Sequence, residues 1–173
     1  MARIICRTYA SEQPVSDAIR VVHAGLADAD SQALITALNT ELSAMYPEPG
    51  ANHFKLDPEE TASGRGAFLV VYRDDVPVGC GAVRLLDAET GELKRMYVSP
   101  AERGRGLGRR LVAELEAEAK ALGVRRLVLE TGTRQHAALA LYRRAGFLPI
   151  PLYGEYLLSP GTSVCLGKDL GDG

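Results

Sequence analysis

From Arg103 the chain reads Arg-Gly-Arg-Gly-Leu-Gly-Arg-Arg-Leu-Val, with three glycines on alternate positions among arginines. No other stretch restricts the fold as strongly. Before it lies Glu-Leu-Lys-Arg-Met-Tyr-Val, of strand-like composition. After it, Leu107, Leu111, Val112, Leu115, Ala119 and Leu122 draw one apolar stripe of helical period. A strand, glycine turn and helix in that order bring the free N–H groups of a helix start, with the positive end of its dipole, to one end of a sheet. Glycine lets that backbone approach a ligand with no Cβ in the way and permits positive φ. Arg103, Arg105, Arg109 and Arg110 add charge, and a guanidinium meets phosphate oxygens with two hydrogen bonds at once. The loop is expected to hold an anion, most naturally a diphosphate.

Rival readings of the loop differ in what they need nearby. A P-loop requires Lys and Ser or Thr after its last glycine, and neither follows. A dinucleotide fingerprint counted from Gly104 meets Arg109 where its third glycine belongs, although Glu130 stands about where a ribose contact would. The remaining alternative is a plain glycine turn before a solvated, arginine-bearing helix face.

Around this unit the pattern is of one mixed α/β domain. Ile19 to Gly25 has the composition of a first strand, and Asp28 or Asp30 is placed to cap a helix carrying Leu34, Ile35, Leu38, Leu42 and Met45. A long loop rich in proline and glycine follows, with room for one short helix. Gly66 to Tyr72, Val76 to Leu86 and Glu92 to Val98 then form a meander of three antiparallel strands. Beyond the glycine loop the helix, with Glu116 and Lys120 as an i,i+4 pair, ends at Gly123. Val124 to Thr131 is a strand, Arg134 to Gly146 a helix, and Phe147 to Tyr153 and Ser163 to Leu170 are final strands. The strand–helix–strand unit around the loop should be a right-handed parallel crossover. Residues 1–18 stand apart as a leader or an extra strand, and residues 19–173 make the domain.

Composition excludes several classes of function. A chain of 173 residues with 46% apolar and 24% charged residues can bury one real core. A net charge of -2 argues against a general nucleic-acid binder. Cys6, Cys80 and Cys165 are odd in number and widely spaced, which fits reduced thiols rather than a disulfide framework or a zinc site. No apolar run approaches the roughly 20 residues of a membrane span, and the first residues make a poor signal peptide. The expectation is a soluble cytoplasmic protein with neither a membrane nor a nucleic-acid partner.

A second motif gives the loop its context. Gln135, Ala138, Leu141, Tyr142, Gly146 and Phe147 match the pattern Asn-x-x-Ala-x-x-Leu-Tyr-x-x-x-Gly-Phe, with Gln135 where the pattern has asparagine. Together with Arg103-Gly104-Arg105-Gly106-Leu107-Gly108, these residues mean that the chain, most strongly over 66–147, resembles the GNAT superfamily of acyl-CoA-dependent N-acetyltransferases. The resemblance implies a single-domain α/β (α+β) fold. Its mainly antiparallel sheet is mixed, with flanking helices and a parallel crossover from the fourth strand through the third helix to the fifth strand. It implies acetyl-CoA as co-substrate, no metal, and direct transfer to the primary amine of a small molecule without an acyl-enzyme. Acetylation of a protein, or acyl-CoA sensing without turnover, are the alternatives. Homodimers are common among such proteins.

The resemblance also implies roles for residues. The pantetheine arm would pair with the backbone of Met96, Tyr97 and Val98 as an added strand. The pyrophosphate would lie on the amides from Arg103 through Gly104, Arg105, Gly106, Leu107 and Gly108 to Arg109, with Gln135 beside the cofactor. The thioester oxygen would face the Met96 N–H. Tyr142 would serve the departing thiol, and Glu92 would be the base, with Glu130 as the second candidate and a water chain as the third. An exposed turn glutamate paired with Lys94 or Arg95 is the structural alternative for Glu92. For the acceptor, Tyr46, Glu48, His53 with its neighbour Phe54, Glu130, Tyr153 and Glu155 are the expected contacts, a set suited to a small cation.

Overall fold

Two aspartates close the first hairpin. Asp74 and Asp75 both hold positive φ, 47° and 65°, which matches the right-handed twist of the strands that they join. Those strands are β2 (Gly66–Arg73) and β3 (Val76–Leu85). The computed structural model describes residues 18–53 and 55–171. The leader reading of residues 1–17, and Cys6 and Phe54, fall outside the described residues.

The other elements are β1 (Ile19–His23), α1 (Ala29–Met45), β4 (Thr90–Val98), α2 (Leu107–Ala121), β5 (Arg126–Gly132), α3 (His136–Arg144), β6 (Leu148–Pro149) and β7 (Ser163–Asp169). One sheet runs in the order β1-β2-β3-β4-β5-β7-β6. Every pairing is antiparallel except β4–β5, the expected crossover through α2. The short helix of the long loop is a single 3-10 turn, Pro58–Thr61, so the crossover helix is the second α-helix.

Both faces of the sheet are covered. Leu107, Leu111, Val112, Leu115 and Ala119 of α2 bury against Leu69, Val83, Leu93, Leu127 and Leu129. On the opposite face Leu34 and Leu38 of α1 meet Phe68, Val70, Cys80, Ala82 and Tyr97. The stripe predicted on α2 is the buried one, apart from Leu122, which is half-buried. Gly123, at φ 84°, ends the helix as expected: its N–H meets Lys120 O at 3.0 Å and the Val124 N–H meets Ala119 O at 3.0 Å, a Schellman motif.

Two sequence expectations need correction. Phe147 to Tyr153 does not make a full strand; only Leu148 and Pro149 pair with β7, because Pro149 and Pro151 lack the N–H donors that a ladder needs. Glu116 does not depend on Lys120 for its charge partner, since it meets Lys168 of β7 at 2.6 Å and thereby ties α2 to the sheet.

Leu115 is fully buried between α2 and the sheet. Replacing it by alanine should cost about 2–5 kcal/mol in urea unfolding, with an unchanged dependence on denaturant.

Candidate active site

The site begins where two neighbouring strands part. β4 and β5 are paired from Thr90–Arg126 to Leu93–Leu129 and no further. Beyond that point β4 continues along β3 to Val98, while β5 continues along β7 to Gly132. A bulge sharpens the parting. The β3–β4 register jumps from Ala82–Lys94 to Cys80–Tyr97, so Arg95 and Met96 stand against the single residue Gly81. Arg95 takes φ 60°, unusual for a residue with a side chain, and its guanidinium reaches Asn39 of α1 at 2.5 Å. The extra residue reverses the alternation of faces, so that Tyr97 and not Met96 enters the α1 core.

On the α2–α3 side the parting opens into a cavity of about 770 Å³, lined by Met96, Tyr97, Val98, the glycine loop and α3, with Leu38, Leu42 and Met45 of α1 as its far wall. Gly104 and Gly106 have φ 78° and 83°, and Gly106 is the N-cap of α2. A Cβ at either would meet nothing within 4 Å, so backbone conformation rather than crowding calls for glycine there. Gly108 answers a different need, because a Cβ on it would come within 3.1 Å of Leu141 on α3.

The arginines of the loop are unequal. Arg103 is committed to building the site: it meets Val98 O at 2.9 Å and Glu41 at 2.7 Å and lies over the Tyr97 ring. Arg105 is 3.5 Å from Glu102, and Arg110 is 3.7 Å from Glu114. Arg109, in the first turn of α2, lines the cavity and makes no ion pair among the described residues. Gln135 is the N-cap residue of α3 and also lines the cavity.

Tyr142 stands on the cavity wall, held by the end of its helix. Gly146, at φ 91°, lets Phe147 N–H reach Tyr142 O at 3.0 Å and Gly146 N–H reach Arg143 O at 3.1 Å. This is a second Schellman motif, and its accompanying apolar contact is the edge-to-face pair of Tyr142 and Phe147, 5.9 Å apart. The Leu-Tyr-x-x-x-Gly-Phe spacing is thus the spacing of a helix stop that clamps the tyrosine ring. Burial and the nearby Glu130 charge raise the Tyr142 pKa, so its hydroxyl stays protonated.

On the α1 side of the same parting lies a buried polar cluster. Glu92 is fully buried. One of its oxygens accepts from Arg84 at 2.7 and 2.8 Å, and the other accepts from Tyr153 at 2.8 Å and Tyr156 at 2.7 Å. It is therefore not an exposed turn glutamate, and its cation is Arg84, directly opposite on β3, not Lys94 or Arg95. Lys94 meets Glu155 at 3.0 Å, and Arg84 also holds Glu60 at 2.7 Å. His53 touches Ser159 at 2.8 Å and lies edge-on to Tyr156. Glu130 of β5 shares this cluster. Burial pushes its pKa up to about 7, against a smaller opposing effect of its hydrogen bond from Ser163.

Not every expected acceptor residue gathers here. Glu48 is exposed and forms a forked pair with Arg134, and the Tyr46 hydroxyl accepts the Arg134 N–H at 2.6 Å. Both instead fasten the C-terminal end of α1 to the loop before α3. Arg84, Ser159 and Ser163 were absent from the sequence reading, and Lys94 entered it only as a partner for Glu92; a cation facing Glu92 across a hairpin was the one available signal.

Residues 32–147 match the model of the Acetyltransferase (GNAT) family. The IAA acetyltransferase of Azospirillum brasilense is 39% identical over 150 residues, 86% of this chain and 89% of that protein. A solved Klebsiella pneumoniae structure assigned to the acyl-CoA N-acyltransferases is 34% identical, with TM-score 0.74 over 88% of this chain and 98% of its own. A GNAT family acetyltransferase from Elizabethkingia anophelis, solved with acetyl-CoA bound, shares the fold at TM-score 0.64 and 18% identity over 89% of this chain and 99% of its own.

The raised pKa of Glu130 ties stability to pH. Between its ordinary value of 4.5 and about 7 the folded protein keeps a proton that the unfolded chain has lost, so stability falls as pH rises through that window. Glu130→Gln should flatten this fall, which urea midpoints measured from pH 5 to pH 8 will read.

Proposed function

Because this chain belongs to the GNAT acetyltransferase family and is an acyltransferase, we propose that it moves the acetyl group of acetyl-CoA directly onto a primary amine of a small molecule. The observation that carries this reading is the parting of β4 from β5. It connects a cavity with a glycine-built anion site on one side to a buried acidic cluster on the other. Tyr142 lines the cavity, and the charge of Glu130, in the acidic cluster, reaches it.

The chain fits acetyl-CoA at both of its chemically distinct ends. Open N–H groups of the αL glycines, the start of α2 and Arg109 hold the diphosphate. The β4 edge at Met96, Tyr97 and Val98, which β5 has left, takes the amides of the pantetheine arm, and Gln135 closes over the arm from α3. The Met96 N–H, re-aimed by the bulge, polarises the thioester carbonyl.

We assign the base to Glu130. The four hydrogen bonds on Glu92 occupy both of its oxygens, whereas Glu130 has a pKa near the working pH and can take the proton of an ammonium. Tyr142 faces the departing sulfur. A tyrosine above pKa 10 does not surrender its proton fully to a thiolate, whose thiol has a pKa of about 8.5; it stabilises the thiolate by a charge-assisted hydrogen bond. Cys80 and Cys165 are buried, their pKa values pushed up to about 12 and about 11, which supports direct attack rather than an acyl-enzyme.

Charge argues for the acceptor class. Glu60, Glu92 and Glu155 outnumber Arg84 and Lys94 around the acceptor side, and Tyr153 and Tyr156 add aromatic faces. A small cationic amine meets attraction there, and an anionic acceptor meets repulsion.

Calorimetric titration with acetyl-CoA should show micromolar binding, while ATP and NADH show none. Thiol release across a panel of primary amines then reads turnover. Tyr142→Phe and Glu130→Gln should each lower kcat by about 10²-fold or more with acetyl-CoA affinity retained. Absent acetyl-CoA binding, or full turnover by Tyr142→Phe, would overturn the reading.

A further inference from the structure

Four arginines line the cavity between α2 and α3, and two of them are committed elsewhere. Arg103 is fixed by Glu41 and Val98 O. Arg134 donates to Met45 O at 2.6 Å and forks onto Glu48, with its guanidinium 4.9 Å from the centre of the Tyr46 ring. Arg109 and Arg144 make no side-chain hydrogen bond or ion pair among the described residues. They stand on different helices, each next to one packing contact. A Cβ on Gly108, the residue before Arg109, would come within 3.1 Å of Leu141, and Arg144 follows Leu141 by one helical turn.

The two arginines offer an anion different surroundings. Arg109 lies in the first turn of α2, where free N–H groups share in holding a phosphate. Arg144 lies in the last turn of α3, at the negative end of that helix's dipole, where no such groups help. The carbonyls that would repel an anion there are engaged: Leu141 O accepts from Ala145 at 3.0 Å, Tyr142 O from Phe147 at 3.0 Å and Arg143 O from Gly146 at 3.1 Å. An anion beside Arg144 therefore depends on side-chain charge, and a phosphate monoester, close to two negative charges at neutral pH, gains most from it. Acetyl-CoA carries phosphate in two forms, a diphosphate between pantetheine and ribose and a monoester on the ribose 3′-oxygen. The glycine loop and Arg109 account for the first alone.

We propose that Arg144 binds the 3′-phosphate of the donor and so selects CoA thioesters over donors that lack this group. This rests on acetyl-CoA as the occupant of the cavity. The exposed guanidinium meets two oxygens of the monoester with parallel hydrogen bonds. No bond of the reaction forms or breaks there, so Arg144 acts on donor affinity and leaves the chemical step alone. Arg143 shares the last turn of α3 and is equally exposed, but it does not line the cavity. Either arginine complements the dipole of α3, so a purely structural role would belong to both.

Calorimetric titration of the full chain compares CoA with 3′-dephospho-CoA, which differ by the monoester alone. The wild type should bind CoA about tenfold more tightly, the effect of one charge-assisted bidentate contact. Arg144→Ala should weaken CoA about tenfold and leave dephospho-CoA unchanged, so that the preference disappears. Arg144→Lys, a point charge without the fork, should keep a preference of about threefold. Arg109→Ala should weaken both nucleotides alike and keep the preference, and Arg143→Ala should alter neither affinity. In thiol release with the fastest amine of the panel, Arg144→Ala should raise KM for acetyl-CoA about tenfold at unchanged kcat, the mark of uniform binding. Dephospho-CoA bound by the wild type as tightly as CoA overturns the assignment, as does Arg144→Ala weakening both nucleotides alike or neither. Loss of the preference in Arg109→Ala alone overturns it too. Failure of both nucleotides to bind the wild type overturns acetyl-CoA as the occupant instead, so the two failures are distinguishable.

Discussion

The parting of β4 from β5 is the constraint on which the rest of this structure depends. A strand in the interior of a sheet ordinarily satisfies both edges, and an open edge inside a protein is costly unless something pairs with it. Here two central strands separate after four residue pairs, and the bulge at Arg95–Met96 turns β4 further from its neighbour. The sheet is covered on either side of the parting by α1 on one face and by α2 and α3 on the other. Under the proposed function, an extended, amide-bearing ligand would complete the open edge as a strand does. The same gap lies between groups held on the α2–α3 side and groups held on the α1 side.

Charge is distributed to match. The helix side presents backbone N–H groups and Arg109, while Arg103 and Arg105 are consumed in fixing the loop itself. The α1 side gathers carboxylates, of which Glu92 is fully buried. Glu92 anchors that cluster: a buried carboxylate is tolerable only when its hydrogen bonds are complete, and Arg84, Tyr153 and Tyr156 complete them. That arrangement keeps both Glu92 oxygens occupied. It also burdens Glu130 with a second nearby negative charge in a desolvated place, which supports the elevated pKa that a base at neutral pH requires. Two glutamates on adjacent strands thereby acquire different characters, one held by four hydrogen bonds and one with its pKa pushed up to about 7.

The glycine loop and the tyrosine motif were legible in the sequence because each is a local device. An N-cap in the left-handed region, or a Schellman stop with its apolar contact, involves residues within one turn of each other. Their spacing therefore appears directly in the chain. The acidic cluster was not legible in this way. Tyr153 and Tyr156 reach Glu92 from 61 and 64 residues away, and His53 reaches Ser159 across 106. Glu48 and Tyr46 looked like acceptor contacts for the same reason. Residue type suggested a cation site, but only the approach of Arg134 decided where their polar groups point.

The sequence by itself determined the order of strands and helices, the glycine turn that opens α2, the apolar faces of α1 and α2, and the tyrosine at a helix end. All of these follow from hydrogen bonding and periodicity between near neighbours. Only the tertiary structure decided which glutamate is held and which is free to titrate, which arginine remains for an anion, and that β6 shrinks to two residues. A side chain's ionisation and availability depend on what surrounds it in space, and those surroundings come from segments that the chain brings together only by folding.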